Sequence, residues 1–437
     1  MSARARELFG LLPVSLLVTG GFTAVLIARS DVIETVTLTY GGIFLALALV
    51  GHLFIRARLP DADPYLYPLA ALLAAFGLVM IYRIDEAKAG QQAVVFALGL
   101  GLFCATILLL RDHRVLERYR YTIAAAGIAL LLAPRLPLIS HQVNGAYLAV
   151  DIGPLSFQPA ELGKLAIVIF LASYLNDTRE VLVRGRLPRV SMKHLGPLLV
   201  VWGAAMLMLV FIRDLGSSLM FFGAFLALLY VATARLSLVL GGLGLFAAGA
   251  WFFANTVGHV RDRIDIWLDP FAPGVVDREG YQIAQSLFAQ ADGGLFGVGF
   301  GESLLHVTTP AGDTIQLLPA AETDLVYAII VNEVGLFGAC AVLLTYLLFA
   351  ARGFKTAVLA PDGFSKLLAA GLTAVFALQV FVIVGGVTRV IPLTGVTLPF
   401  ISFGGSSIVA NFILLALLLI VSDHARRDPA ARQGGLV

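Results

Sequence analysis

Apolar runs near 20 residues long recur along the chain, separated by short polar segments. Twelve are legible, at about 10–29, 36–55, 65–82, 91–110, 121–136, 160–176, 196–213, 215–233, 237–256, 324–350, 366–389 and 405–422. A helix needs about 20 apolar residues to cross a bilayer, so the pattern predicts an all-α polytopic integral membrane protein with about twelve transmembrane helices. The fifth and sixth runs are short enough to be partly interfacial. The seventh and eighth are split only by Arg213 and Asp214. The first follows Arg4 and Arg6 as a signal sequence would, but its apolar region is too long. Ala28-Arg29-Ser30 is also a poor cleavage site, so the run reads as a retained anchor helix.

Composition agrees. Of 437 residues, 59% are hydrophobic and 13% charged, with 30 Lys+Arg against 28 Asp+Glu. Soluble domains carry roughly 25% charged residues, so disorder is ruled out and the composition argues against a soluble multidomain enzyme. The net charge of +2 points to no nucleic acid. Cys104 and Cys340 both lie inside apolar runs, which leaves a disulfide framework or a cysteine metal site without support. With the N-terminus in the cytoplasm, 20 of the 30 Lys+Arg fall on the cytoplasmic side, most of them in short loops. That is the positive-inside bias, and it places both termini in the cytoplasm.

Under this topology two external segments stand out, at about 137–159 and 257–323. The second is by far the longest loop, and loops beyond about 15 residues are usually functional or disordered. It carries Trp267, Phe271, Tyr281, Leu287 and Phe288, then the cluster Gly293-Gly294-Leu295-Phe296-Gly297-Val298-Gly299-Phe300-Gly301. So many aromatics predict that it packs back on the membrane domain. No internal repeat is evident, which weakens a transporter built from inverted repeats.

Several polar residues sit where they are costly. Asp324 opens the tenth run after Glu322 and Thr323, and it reads either as a helix N-cap or as a general base facing an external cavity. The helix dipole would lower its pKa, whereas burial would raise it toward a useful value. Glu333 lies nine residues on, about 13 Å deeper at 1.5 Å per residue. It reads as a functional carboxylate or as a polar contact with Asn332 or a basic residue. In Gln158-Pro159-Ala160-Glu161-Leu162-Gly163-Lys164, Pro159 suits a first helical turn. Glu161 and Lys164 then share a helix face, as a mutual ion pair or with Lys164 holding an anionic group. Arg213 and Asp214 read as a structural pair, or Arg213 joins Lys164 and Arg389 around a lipid pyrophosphate. Arg261, Asp262, Arg263 and Asp265 are expected to decorate the solvated loop. Near the end, Thr388 to Gly395 and Leu398 to Ser407 hold proline and glycine at a density that breaks helix at membrane depth. Such backbone is tolerated only when buried or lining a polar cavity. There is no P-loop, HExxH, GxSxG or Rossmann glycine motif.

These segments resemble the SEDS family, the RodA/FtsW/SpoVE membrane glycosyltransferases. The matching stretches are Phe157 to Lys164, Asp214-Leu215-Gly216-Ser217, Gly280 to Ser286, Glu322 to Ala328 with Glu333-Val334-Gly335-Leu336, and Pro392-Leu393-Thr394-Gly395 through Ser402 to Ser407. They occur in the family's order over about residues 65–422 and are most similar to RodA-type members of actinobacteria. The resemblance implies a ten-helix core over residues 61–425, with 257–323 as its large extracellular loop. An additional N-terminal helix pair (1–60) precedes it and a cytoplasmic tail (426–437) follows. The stretch Asn144 to Val150 lacks the Arg-Trp often found there in the family.

The activity implied is polymerisation of lipid II into peptidoglycan glycan strands at the outer face of the cytoplasmic membrane, for cell elongation or division. The family's essential aspartate matches Asp324, which would take the proton of a sugar hydroxyl as it attacks an anomeric carbon with inversion. Glu161, Lys164, Arg213, Asp214, Gln285, Ser286, Thr323, Arg389 and Ser406 are the candidate substrate contacts. A divalent cation, Mg²⁺ or Mn²⁺, would assist the leaving pyrophosphate. The expected partners are a class B penicillin-binding protein transpeptidase and the elongation or division machinery. A lipid II flippase without chemistry is the alternative, and a non-catalytic scaffold is a third reading.

Overall fold

The computed structural model describes residues 2–29, 35–136, 140–143, 146–152, 155–184, 196–197, 199–200, 203, 214–308 and 314–427. Helices α1 (Ala3–Arg29), α2 (Thr35–Arg58), α3 (Leu66–Ile84) and α4 (Glu86–Leu109) lead into short α5 (Val115–Arg118) and α6 (Arg120–Leu132). Next come α7 (Pro159–Arg184), α8 (Leu215–Thr233) and α9 (Leu236–Thr256). Two loop helices, α10 (Gly258–Leu268) and α11 (Tyr281–Gly293), precede α12 (Val326–Leu359), α13 (Gly363–Val387) and α14 (Gly405–Arg427). Among the described residues, nine helices are long and apolar enough to cross a membrane. The sixth run is a 26-residue helix, longer than its sequence pattern indicated. Most of the seventh run, with Arg213, lies outside the described residues.

Helices apolar all round belong in the interior of a bundle. The most apolar stretches of α14 and α13 are 89% and 78% buried, whereas that of α9 has no buried residue, so α13 and α14 form the centre and α9 the rim. α13 packs on α7, α8 and α12, and α14 packs on α4. α1 and α2 are docked rather than loose. α1 lies along α3, and Tyr67 of α3 donates its hydroxyl to the Ala48 carbonyl of α2 at 2.8 Å. Arg4, Glu7 and His52 form a buried polar triad between α1 and α2.

The structure departs from the sequence reading in two places. Strands β1 (Ser140–Val143), β2 (Ala146–Ile152) and β3 (Leu155–Phe157) form a three-stranded antiparallel sheet. β4 (His306–Thr308) and β5 (Thr314–Gln316) make a second, two-stranded sheet. Non-helical backbone at a membrane rim still needs partners for its N–H and C=O groups, and strand pairing supplies them.

The second departure is in α12. The uninterrupted tenth run predicts one helix, but Gly335 breaks it with φ 68° and ψ −174°. The glycine-rich segment 293–301 fills the gap. Val298 and Gly299 amides donate to the Asn332 and Glu333 carbonyls at 2.9 and 3.2 Å, and Leu336 and Phe337 amides donate to Gly294 and Leu295. The opened turn is thus satisfied by backbone from the loop, as a break at this depth requires. A Cβ on Gly297 (φ 83°) would stand 2.1 Å from the Glu333 carbonyl oxygen, so only glycine fits there.

Candidate functional site

Asp324 stands just before α12, but it does not cap it. Leu325 is the N-cap residue, without a side-chain capping bond. The amides of Thr323, Asp324 and Leu325 all converge on the Ala320 carbonyl at 3.1–3.2 Å, in a turn where Ala320 has φ 53°. That turn delays the helix by one residue and leaves the Asp324 carboxylate unspent on capping. It lies against the 391–397 segment, with Oδ2 3.5 Å from where a Cβ on Gly395 (φ 71°) would be. Burial pushes its pKa up to about 6, against the opposing pull of Arg263 and the Thr323 hydroxyl.

Arg263 belongs to this site, which corrects the expectation that it decorates a solvated loop. α10 carries it onto the membrane domain, where Nη1 donates to the Leu393 carbonyl at 2.5 Å. The same guanidinium acts on Asp214, whose pKa burial raises while Arg263 and Ser217 oppose the rise. The sequence signal was the amphipathic spacing of Val260, Ile264 and Trp267, which gives a short loop helix a face to dock.

Asp214 is buried and caps α8, accepting from the Ser217 amide at 2.9 Å. Nearby, Lys164 is 1% exposed. It pairs with Glu161 one turn earlier and donates to Gln379 Oε1 at 2.6 Å. Gln379 in turn donates to the Thr397 carbonyl at 2.9 Å. The hydroxyls of Thr394 and Thr397 are buried without a hydrogen-bond partner among the described residues. Thr394 and Val396 lie over Gly216, so α7, α8, α13 and the 391–397 segment enclose one polar cluster.

The remaining predicted residues brace this cluster. Arg389 does not join Lys164. Its Nε and Nη2 donate to the Trp267 and Leu268 carbonyls at 2.8 and 2.5 Å, and Trp267 Nε1 returns a bond to the Arg389 carbonyl. It therefore satisfies the C-terminal carbonyls of α10 and holds Arg263 in place. Ser286 is buried and donates to the Val387 carbonyl at 3.3 Å, while Gln285 is half-buried on α11. Ser406 accepts from the Gln158 amide at 2.8 Å. Thr323 is gripped through its carbonyl by the Ser402 hydroxyl at 2.6 Å, and the Phe403 amide bonds the Glu322 carbonyl. Glu322 also pairs with Lys88.

Glu333 is separate from Asp324. Arg83 Nε sits 3.0 Å from Oε1, and the Gly301 amide donates to Oε2 at 3.0 Å. Beside it, Ser303 donates to Asn332 Oδ1 at 2.5 Å, and Arg83 Nη2 donates to the Ser303 carbonyl. Glu333 thus takes the second of its two sequence readings, a contact with a basic residue.

Known proteins resemble this chain over most of its length. Residues 64–427 match the family described as cell cycle protein, FtsW/RodA/SpoVE. The chain is 42% identical to the peptidoglycan glycosyltransferase RodA of Mycobacterium tuberculosis, over 90% of this chain and 85% of that protein. It is 29% identical to stage V sporulation protein E of Bacillus subtilis, over 83% and 98%. Among solved structures, one described as the structural coordination of polymerization and crosslinking by a peptidoglycan synthase complex superposes with a TM-score of 0.66. It is 28% identical and covers 84% of this chain and 99% of that one. The rod shape determining protein RodA of Thermus thermophilus gives 0.59 at 27% identity, over 84% and 98%. The chain therefore belongs to the FtsW/RodA/SpoVE family of polytopic membrane proteins.

Proposed function

We infer that this protein is a peptidoglycan glycosyltransferase that polymerises lipid II, with Asp324 as general base. The observation that carries the reading is the state of Asp324. Its carboxylate is half-buried, uncommitted to its helix and raised to about 6. A base works best with a pKa near the operating pH. At pH 7 roughly nine in ten such groups are ionised and ready to accept a proton.

Asp324 would take the proton of the acceptor sugar's 4-hydroxyl as that oxygen attacks the donor's anomeric carbon. The bond to the lipid pyrophosphate breaks on the opposite face, which inverts the centre. Arg263 is the cation best placed to meet the developing negative charge, since only one of its guanidinium nitrogens is bonded to Leu393. The buried polar groups of Thr394, Thr397, Gln379 and Lys164 favour a polar headgroup over a tail. Among the described residues no three His, Cys, Asp or Glu ligands gather at Asp324. Mg²⁺ or Mn²⁺ there would rest on Asp324 or Asp214 and on the substrate's own phosphates, as Mg²⁺ commonly does. Bound so, it would neutralise pyrophosphate charge. The charge bias of the loops supports an orientation with Asp324 at the outer face and both termini in the cytoplasm. A transpeptidase of the class B penicillin-binding type is the partner that fits, and the loop of α10 and α11 is where its external domain would act.

The purified protein, incubated with labelled lipid II in proteoliposomes with and without such a transpeptidase, should yield glycan strands. Lipid II crossing the vesicle with no polymer under either condition would establish the flippase reading instead.

Two further expectations follow from the charges. Arg263 lowers the Asp324 pKa, so Arg263→Ala should raise it and move the acid limb of the rate profile to higher pH. An unmoved limb would separate Arg263 from the base. Lys164→Ala strands Glu161 in a buried site, a loss of about 3–5 kcal/mol, so instability alone would silence it. The double variant Glu161→Met, Lys164→Met removes both charges and should recover most of the melting temperature. If Lys164 holds substrate phosphate, the double variant stays defective in lipid II binding; wild-type binding would make the pair structural.

A further inference from the structure

At the end of the bundle opposite Asp324, the 110–119 connection, the start of α13 and the last turn of α14 meet. His113 is 1% exposed, and its ring stands edge to face with that of His424, centroids 5.2 Å apart. The protons in this cluster can be placed by following the hydrogen bonds. Ser365 Oγ donates to Asp362 Oδ2 at 2.7 Å. With that proton committed, the 2.5 Å contact between Ser365 Oγ and His113 Nε2 makes the imidazole the donor. His113 Nδ1 then carries a lone pair, and it is buried without a hydrogen-bond partner among the described residues. His424 Nδ1 lies 2.9 Å from the Ile420 carbonyl and must donate to it, which leaves the lone pair on Nε2. One ring nitrogen of each histidine and a carboxylate oxygen of Asp112 lie within 4.8 Å of one another.

We propose that Asp112, His113 and His424 form a binding site for a transition-metal dication, Zn²⁺ foremost. Two neutral imidazoles and one carboxylate are a donor set for zinc rather than for Mg²⁺ or Ca²⁺, which take oxygen ligands. The ring spacing fits. A tetrahedral zinc with Zn–N of about 2.0–2.1 Å separates two imidazole centroids by roughly 5 Å. Each histidine also has the outer partner that metal-bound histidines show on the other nitrogen: the Ser365–Asp362 relay for His113 and the Ile420 carbonyl for His424. Three protein ligands leave a fourth position open to water or another donor. The metal would staple the α4–α6 connection to the C-terminal turn of α14. This site is independent of the glycosyl-transfer reading, being built on other residues at the other end of the helices.

The test uses the full-length protein purified without a histidine tag and equilibrated in zinc buffers. Wild type should bind one zinc per chain, and cobalt(II) in its place should show a tetrahedral ligand-field band. His424→Gln should abolish both. Ser365→Ala, which touches only the outer relay, should weaken zinc about 10–100-fold. Asp112→Asn changes an exposed side chain, so it folds whatever becomes of the histidine variant, and it should weaken zinc measurably. No saturable zinc in wild type, or wild-type zinc affinity in Asp112→Asn and Ser365→Ala, would overturn the proposal.

Discussion

Asp324→Asn should polymerise lipid II about 10²–10⁴-fold more slowly than wild type, the usual contribution of a general base, while still binding it. The substitution keeps the side chain's size, and because Leu325 rather than Asp324 opens α12, no helix cap is lost with the charge. The stability outcome has a definite sign. The folded-state pKa of Asp324 is raised from 3.8 to about 6, so the folded protein disfavours its carboxylate relative to the unfolded chain. Below pH about 4 the group is protonated in both states and costs nothing. As pH rises through the folded value, the wild-type protein carries the full penalty, at most about 3 kcal/mol at roughly 1.4 kcal/mol per pH unit. Asp324→Asn should therefore melt higher than wild type at pH 8 and nearly equal to it at pH 4. Measuring rate and thermal midpoint on one preparation checks both halves. A variant that polymerises at a rate near wild type removes Asp324 as base.

Glu333→Ala should have the largest effect on the fold. It strands Arg83 against a broken membrane helix and removes the acceptor for the Gly301 amide. Truncating one member of a buried ion pair costs about 3–5 kcal/mol, a large share of the stability of any domain. The expected result is a markedly lower melting midpoint in detergent, with polymerisation lost in parallel. The double variant Arg83→Met, Glu333→Met should recover part of the midpoint. Normal stability of Glu333→Ala with selective loss of turnover would instead return Glu333 to the candidates for chemistry.

Most spans were legible because the bilayer demands one thing of every crossing helix, a long apolar run. That signal is blind to interruptions made of apolar residues and glycine. Gly335 sits inside such a run and looks ordinary there. Its break could have been read only by pairing Asn332-Glu333, polar in mid-span, with the distant cluster Gly293 to Gly301 that serves them. Asp324 stands out in the sequence because a carboxylate at the mouth of a membrane helix is costly. Of its two readings the N-cap fails, because the Ala320 turn, set by positive φ at an alanine, leaves no mark in the residue pattern. Arg263 was overlooked for a related reason. Its neighbours Arg261 and Asp262 are exposed as expected, and only the docking of α10, clamped by Arg389, sets Arg263 apart. Arg389 was expected beside Lys164 at a pyrophosphate, yet its partners are carbonyls 121 and 122 residues away, a relation no local spacing encodes.

The segment that grips Glu322 and Thr323 from behind, Leu398 to Phe403, bears on how the protein comes into being. Ribosomal synthesis delivers the chain from its N-terminus, and regions fold in that order. The glycine-rich partner of the α12 break is made before α12, so the opened turn meets its complement as soon as it enters the bilayer. The Ser402 and Phe403 contacts arrive about 80 residues after the aspartate's neighbours. A nascent chain arrested between α12 and α14 would thus carry Asp324 without its support. With Asp324 as the proposed base, turnover would then await insertion of the last helix.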